Sequence, residues 1–161
     1  MLDSERKVNQ FLVQYCRLLV GDIADERLAE QPLPGVNHPA WVLGHLAFSA
    51  DRARGLLGAE KELPAAWTPL FGPGSQPSAS RSDYPSKDDL LRAVEQGFER
   101  LRQQAAAATP AQLARPTTNP YTKDALPTVR DGVAFLLTGH LGIHLGQLSM
   151  WRRMIGLLPL Y

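Results

Sequence analysis

The sequence has a single cysteine, Cys16, so no disulfide can form within the chain. Its place in an apolar helical pattern marks it as a small buried hydrophobe rather than a nucleophile. An excess of one charge is also missing: 17 Lys and Arg face 16 Asp and Glu, with no basic run. That removes the electrostatic footprint by which proteins hold nucleic acid. No apolar run approaches the roughly 20 residues that cross a bilayer. The start, Met1-Leu2-Asp3-Ser4-Glu5-Arg6-Lys7, is charged and unlike a leader. The expected setting is therefore cytoplasmic, without membrane. Alternating apolar and polar residues at period two are missing, as is any solenoid-like repeat. The expectation is an all-α chain of one domain over 1–161.

Helical periodicity supplies the elements. Val8, Phe11, Leu12, Tyr15, Leu18 or Leu19, and Ile23 follow Asp3 or Ser4 at helical spacing, which predicts a helix over 4–29 ended by Pro32 and Pro34. Asn37 caps a second helix, with Pro39 in its first turn and Gly58 stopping it near residue 57. Ser86-x-x-Asp89 opens a third, buried through Leu90, Leu91, Val94, Phe98 and Leu101 and running to about residue 108. Thr128 with Asp131 opens the last, which should reach Ile155 before Gly156 and Pro159. The connection 58–85 is long and carries five prolines together with Trp67, Phe71 and Tyr84. It reads as an ordered cover, with 72–78 free to move. In the connection 109–127, Thr109-Pro110 starts a single helical turn. Gly132, Gly139, Gly142 and Gly146 each cost about 1 kcal/mol relative to Ala inside a helix. Gly132, Gly139 and Gly146 form a bare seam suited to close approach of another helix, within the chain or across a homodimer.

The chemistry concentrates in histidines. His140 and His144 lie four residues apart, so a helix brings both rings to one face, about 5–6 Å apart at Cβ. Their stripe reads Val133, Leu137, His140, His144, Leu148, Trp151 and points to the core, where an unpartnered imidazole is costly. His45 sits upstream on the apolar side of Trp41-Val42-Leu43-Gly44-His45-Leu46-Ala47-Phe48. Three neutral imidazoles on two helices suggest one divalent-metal site with an open position, since structural zinc takes four protein ligands. Core-edge histidines bonded to backbone or water are the alternative. Imidazole suits zinc, nickel, copper or iron alike. His140-Leu141-Gly142-Ile143-His144 lacks the glutamate of an H-E-x-x-H protease, which excludes that mechanism.

Other residues near these faces have weaker claims. Gln147 shares the face of His144, where it would orient a histidine or a ligand and is the one catalytic candidate, or would satisfy a loop backbone group. His38, at the mouth of the second helix, reads as a surface or capping residue. Arg52 lies on the His45 side, where it would meet an anionic substrate, although a solvated salt bridge is the preferred reading. Arg152 and Arg153 complement the dipole at the end of the last helix. Trp41, Phe48 and Trp151 read as core that can also line a pocket.

Asn37-His38-Pro39-Ala40-Trp41, Leu43-Gly44-His45-Leu46, a long gap and a closing His140-x-x-x-His144-x-Gly146-Gln147 resemble the DinB-like (damage-inducible protein B) superfamily across essentially the whole chain. The superfamily is distinct from the polymerase that shares its name. The resemblance implies a four-helix bundle in up-down-down-up order. It also implies nickel or zinc on His45, His140 and His144, and a thiol-dependent transferase or isomerase activity found in some relatives. Two functions are therefore expected. One is an enzyme that activates a low-molecular-weight thiol or water toward a small-molecule electrophile; the other is a non-catalytic module in which metal stabilises a homodimer.

Overall fold

The computed structural model describes residues 1–117 and 122–160. The described residues form α1 (Asp3–Gly21), α2 (Pro39–Leu56), α3 (Trp67–Phe71), α4 (Lys87–Ala107), α5 (Pro110–Ala114), α6 (Val129–Leu137) and α7 (Gly139–Met154), with no strand among them. The all-α expectation holds. α1 packs on α4, α6 and α7, while α2 packs on α3, α4, α6 and α7. Both helices thus bridge α4 to the α6–α7 pair, around a core that includes Cys16, Leu19, Leu43, Leu46, Phe98, Leu101, Leu141 and Trp151. Ser86, Thr109 and Thr128 cap α4, α5 and α6 through their side-chain oxygens, as their spacing foretells. The expected turn at Thr109 is α5; residues 118–121 of the connection 109–127 lie outside the described residues.

Three boundaries differ from the sequence reading. The first helix ends at Gly21 rather than near 29, because side chains from two other helices take the carbonyls at its end. Lys87 Nζ donates to Gly21 O at 3.0 Å and Ile23 O at 2.6 Å. Arg152, 2% exposed, donates to Leu19 O at 2.8 Å and pairs with Asp22 through both terminal nitrogens. Arg152 is therefore a buried anchor rather than a simple complement to a helix dipole. A short 3-10 turn, Asp25–Arg27, follows in place of further α-helix.

The last helix breaks at Thr138, with φ −128 and ψ −77. Thr138 Oγ1 donates back to Ala134 O at 2.7 Å, a competitor for the helical ladder. The neighbouring carbonyl of Leu137 accepts from Asn9 Nδ2 at 2.7 Å, and Asn9 Oδ1 accepts from Arg102 at 2.7 Å. Asn9 is fully buried, so this polar link is built into the core. The break sits two residues before His140 and separates the helix that walls the site from the helix that carries His140 and His144.

The cap of α2 is His38 rather than Asn37. His38 Nδ1 accepts from Trp41 N at 3.3 Å and Nε2 donates to Ser78 O at 2.8 Å. His38 is completely buried, so only the capping half of its expectation stands.

The glycine seam also differs. Cβ atoms built on Gly142 and Gly146 would meet nothing, one on Gly132 would make only ordinary contact with Leu56, and one on Gly139 would crowd Phe135 of the preceding α6 at 3.0 Å rather than a separate helix. The close approach occurs at Gly44 instead. By length and composition Val129–Met154 is apolar enough to cross a membrane, contrary to the sequence reading. In the bundle its Val133, Leu137, Leu141, Leu145, Leu148 and Trp151 are buried core.

Candidate metal centre

The connection between α2 and α4 is a cover, as its aromatics suggest: Phe71 is fully buried and Tyr84 nearly so. Its expected free stretch is tied down. Trp41 Nε1 donates to Ser75 Oγ at 3.1 Å, and Ser78 N donates to Tyr84 Oη at 2.7 Å. With His38 to Ser78 and His45 to Phe71, the cover runs antiparallel along one face of α2, tied at residues 38, 41 and 45 of the helix.

Gly44 explains how the cover reaches the site. A Cβ there would lie 2.1 Å from Phe71 Cε1, so only glycine lets this ring press on α2. The Phe71 carbonyl then stands 2.7 Å from His45 Nδ1. A carbonyl only accepts, so Nδ1 carries the proton and Nε2 presents a lone pair. Trp41 stacks on the same imidazole at 4.7 Å between centroids.

His144 is fixed from the other side. Its Nδ1 lies 2.9 Å from Gln147 Oε1, which also accepts from Asn37 Nδ2 at 3.1 Å. Its Nε2 is thus left free as well. Gln147 thus orients His144, the histidine-positioning role its spacing suggests. Asn37, assigned to the cap by sequence, belongs to this relay.

His140 completes the set. Its Nε2 is 3.2 Å from His45 Nε2, and the ligand atoms of His45, His140 and His144 all lie within 4.8 Å of one another. Two nitrogens bound to one ion at about 2.0–2.1 Å stand roughly 3–3.4 Å apart, so this spacing fits a shared metal. His140 Nδ1 is buried without a partner among the described residues. If His140 donates from Nε2, a bare lone pair is buried at Nδ1; if the proton sits on Nδ1, two lone pairs face each other. A cation between the Nε2 atoms removes the second conflict, and the three donors fit a divalent ion.

Burial keeps these rings neutral. It is the largest cause of the lowered values of His140, pushed down to about 3, and His144, to about 4; His144 and His45 add to the first and His45 to the second. Burial also lowers His45. Neutral imidazole is the form that ligates metal. His38 is excluded as a ligand because both of its ring nitrogens are committed. Cys16 is fully buried and its thiol pushed up to about 12, in keeping with an inert core residue. Trp151 is core, donating from Nε1 to Glu30 O at 2.7 Å.

Beside the histidines lies a cavity of about 230 Å³ walled by His45, His140, Phe48, Leu56, Phe135 and Leu136, with Ser49 and Arg52 as its polar features on α2. The solvated salt bridge expected for Arg52 is not formed among the described residues. Gly44, the Phe71 carbonyl and the Asn37 link escape sequence reasoning. Gly44 adjoins His45, but nothing in the spacing says which ring would need the room.

Comparison with curated proteins gives no match. A family model of the DinB superfamily matches residues 14–148, a span that holds Asn37, His45, His140, His144 and Gln147. The all-helical fold and the clustered histidines agree with that match, and the chain belongs to the DinB superfamily.

Proposed function

We propose that His45, His140 and His144 hold one nickel or zinc ion and that the protein is a cytoplasmic metal-dependent enzyme acting on a small electrophile. The observation that carries the reading is the convergence of one ring nitrogen from each of three histidines, with Nε2 of His45 and Nε2 of His140 3.2 Å apart. When bound, the ion supplies Lewis acidity and lowers the pKa of a thiol or water at its open side. The protein's own contribution is to bind and orient. Phe71 O and Gln147 fix two imidazoles, while Phe48, Leu56, Phe135 and Leu136 hold the electrophile in an apolar cavity.

No Asp or Glu is among the described residues lining that cavity. A thiol, ordinarily near 8.5, needs far less help to ionise at neutral pH than water does. Transferase or isomerase chemistry with a low-molecular-weight thiol is therefore favoured over hydrolysis.

The reading includes an up-down-down-up bundle. Asn9 to Leu137 and Leu19 to Arg152 support α1 running parallel to α6–α7. Asn9 to Arg102 and Ile23 to Lys87 support α1 antiparallel to α4. Asn37 to Gln147 and His45 to His140 support α2 antiparallel to α7.

Elemental analysis of purified native protein beside a folded His140→Ala variant tests the site. About one ion per native chain, lost in the variant, is the expected result, with electrophile turnover that depends on added thiol. Undiminished metal in His140→Ala would sink the assignment, and turnover without thiol would favour hydrolysis.

A second reading, a metal-stabilised homodimer without catalysis, is favoured by one surface. Val8, Phe11 and Leu18 of α1 and Ile143, Met150 and Met154 of α7 are exposed, on helices that pack together. Gly142 and Gly146 leave room beside them. Light scattering that gives a dimer, with no turnover of any thiol acceptor, would favour this reading.

A further inference from the structure

Arg52 stands apart from the other arginines near the site. Arg54 is bound to Asp51 and Glu62, Arg100 to Glu62, and Arg115 donates to Leu56 O at 2.5 Å. Asp51, the acid adjacent to Arg52 in sequence, is committed to Arg54 and to Glu62 N at 3.1 Å. Arg52 has no ion-pair or hydrogen-bond partner among the described residues. Its side chain, exposed to solvent, lines the same cavity as His45 and His140, and its charge reaches both rings.

The rest of that wall gives the charge its meaning. Phe48, Leu56, Phe135 and Leu136 are apolar, Ser49, Thr117 and Thr122 add hydroxyls, the histidines are neutral, and Arg52 is the one formally charged side chain lining the cavity among the described residues. Water screens an exposed guanidinium, so what Arg52 offers is geometry as well as charge: it matches a carboxylate through two parallel hydrogen bonds. A single cation balances a monoanion better than a phosphate dianion. At about 230 Å³ the cavity is smaller than the roughly 300–1,000 Å³ of drug-sized sites, which suits one ring or a short branched chain.

We infer that the cavity is a subsite for a small apolar carboxylic acid, its carboxylate paired with Arg52 and its apolar body between Phe48, Leu56 and Phe135, beside His45 and His140. This assigns the electrophile of the proposed reaction to the carboxylates and rests on that reading for the chemistry, although the subsite itself does not need a metal. Arg52 sets specificity here and takes no part in bond making.

Calorimetric titration with 3-phenylpropanoate and its neutral twin 3-phenylpropanamide tests it, on protein loaded with nickel and on protein stripped by a chelator. Native protein binds the carboxylate about fivefold more tightly than the amide in both forms, as one solvent-exposed charge pair predicts. Arg52→Gln removes the preference, leaves metal content unchanged, and Arg52→Lys restores part of it. Equal affinities for the two probes, a preference that survives in Arg52→Gln, or no binding of either at millimolar concentration would overturn the subsite. A preference confined to the nickel-loaded form would place the carboxylate on the metal and also overturn it. If the native protein takes up no metal yet keeps the Arg52-dependent preference, the subsite stands and the metal enzyme falls.

Discussion

One methyl group at position 44 would reach into the Phe71 ring, and its effect should appear at the neighbouring histidine. Gly44→Ala forces Phe71 off α2, because the new Cβ would stand 2.1 Å from Cε1, and the carbonyl that holds His45 Nδ1 moves with it. Loss of such a support typically weakens metal binding by about 10–100-fold. A nickel or zinc titration should therefore show that loss in Gly44→Ala, whereas Gly146→Ala, which meets open space, leaves affinity unchanged. Equal affinities in the two variants would refute the role given to Phe71. The histidines themselves are legible from sequence because helical spacing is local, and His140 and His144 share a face by geometry alone. Their supports are not, since Phe71 lies 26 residues from His45 and Asn37 lies 110 from Gln147.

Among the elements, the starts are read more faithfully than the stops. Ser86, Thr109 and Thr128 cap through their own side chains, so a few residues contain the whole signal. The end of α1 depends on Lys87 and Arg152 from other elements, and the break at Thr138 combines a local bond to Ala134 O with one from distant Asn9 to Leu137 O. No window along the chain contains the distant partners. The break makes Asn9 a sensitive point: Asn9→Ala abandons a buried carbonyl at Leu137 and a guanidinium at Arg102. It should cost about 1–3 kcal/mol of stability in denaturant or thermal unfolding. A loss within a few tenths of that of a surface Asn substitution would show that water replaces the link.

For the whole molecule, the buried histidines couple stability to acidity. In the metal-free protein His140 and His144 titrate near 3 and 4, against an ordinary 6.5, and His45 and His38 are lowered as well, with burial the largest cause throughout. The unfolded chain therefore binds more protons below about pH 6.5, and stability falls as pH drops from there toward about 3–4. Each ring contributes a slope of at most about 1.4 kcal/mol per pH unit. Urea midpoints measured on stripped protein between pH 7 and 4 should fall accordingly, and by less in a His140→Ala, His144→Ala double variant. An unchanged profile would mean that the rings are already hydrated.

The antiparallel ties between α2 and its cover also decide where this chain can change in length. Residues 64–66 are exposed, and an extra residue there lengthens a surface loop for a few tenths of a kcal/mol. Between Phe71 and Ser78 the same insertion shifts one set of partners against a helix whose residues 38, 41 and 45 cannot follow. The cover thus behaves as a gauge cut to the helix. Homologous chains can differ widely in loop size ahead of Phe71, but the eight residues from there to Ser78 must keep their count for His45 to keep its aim.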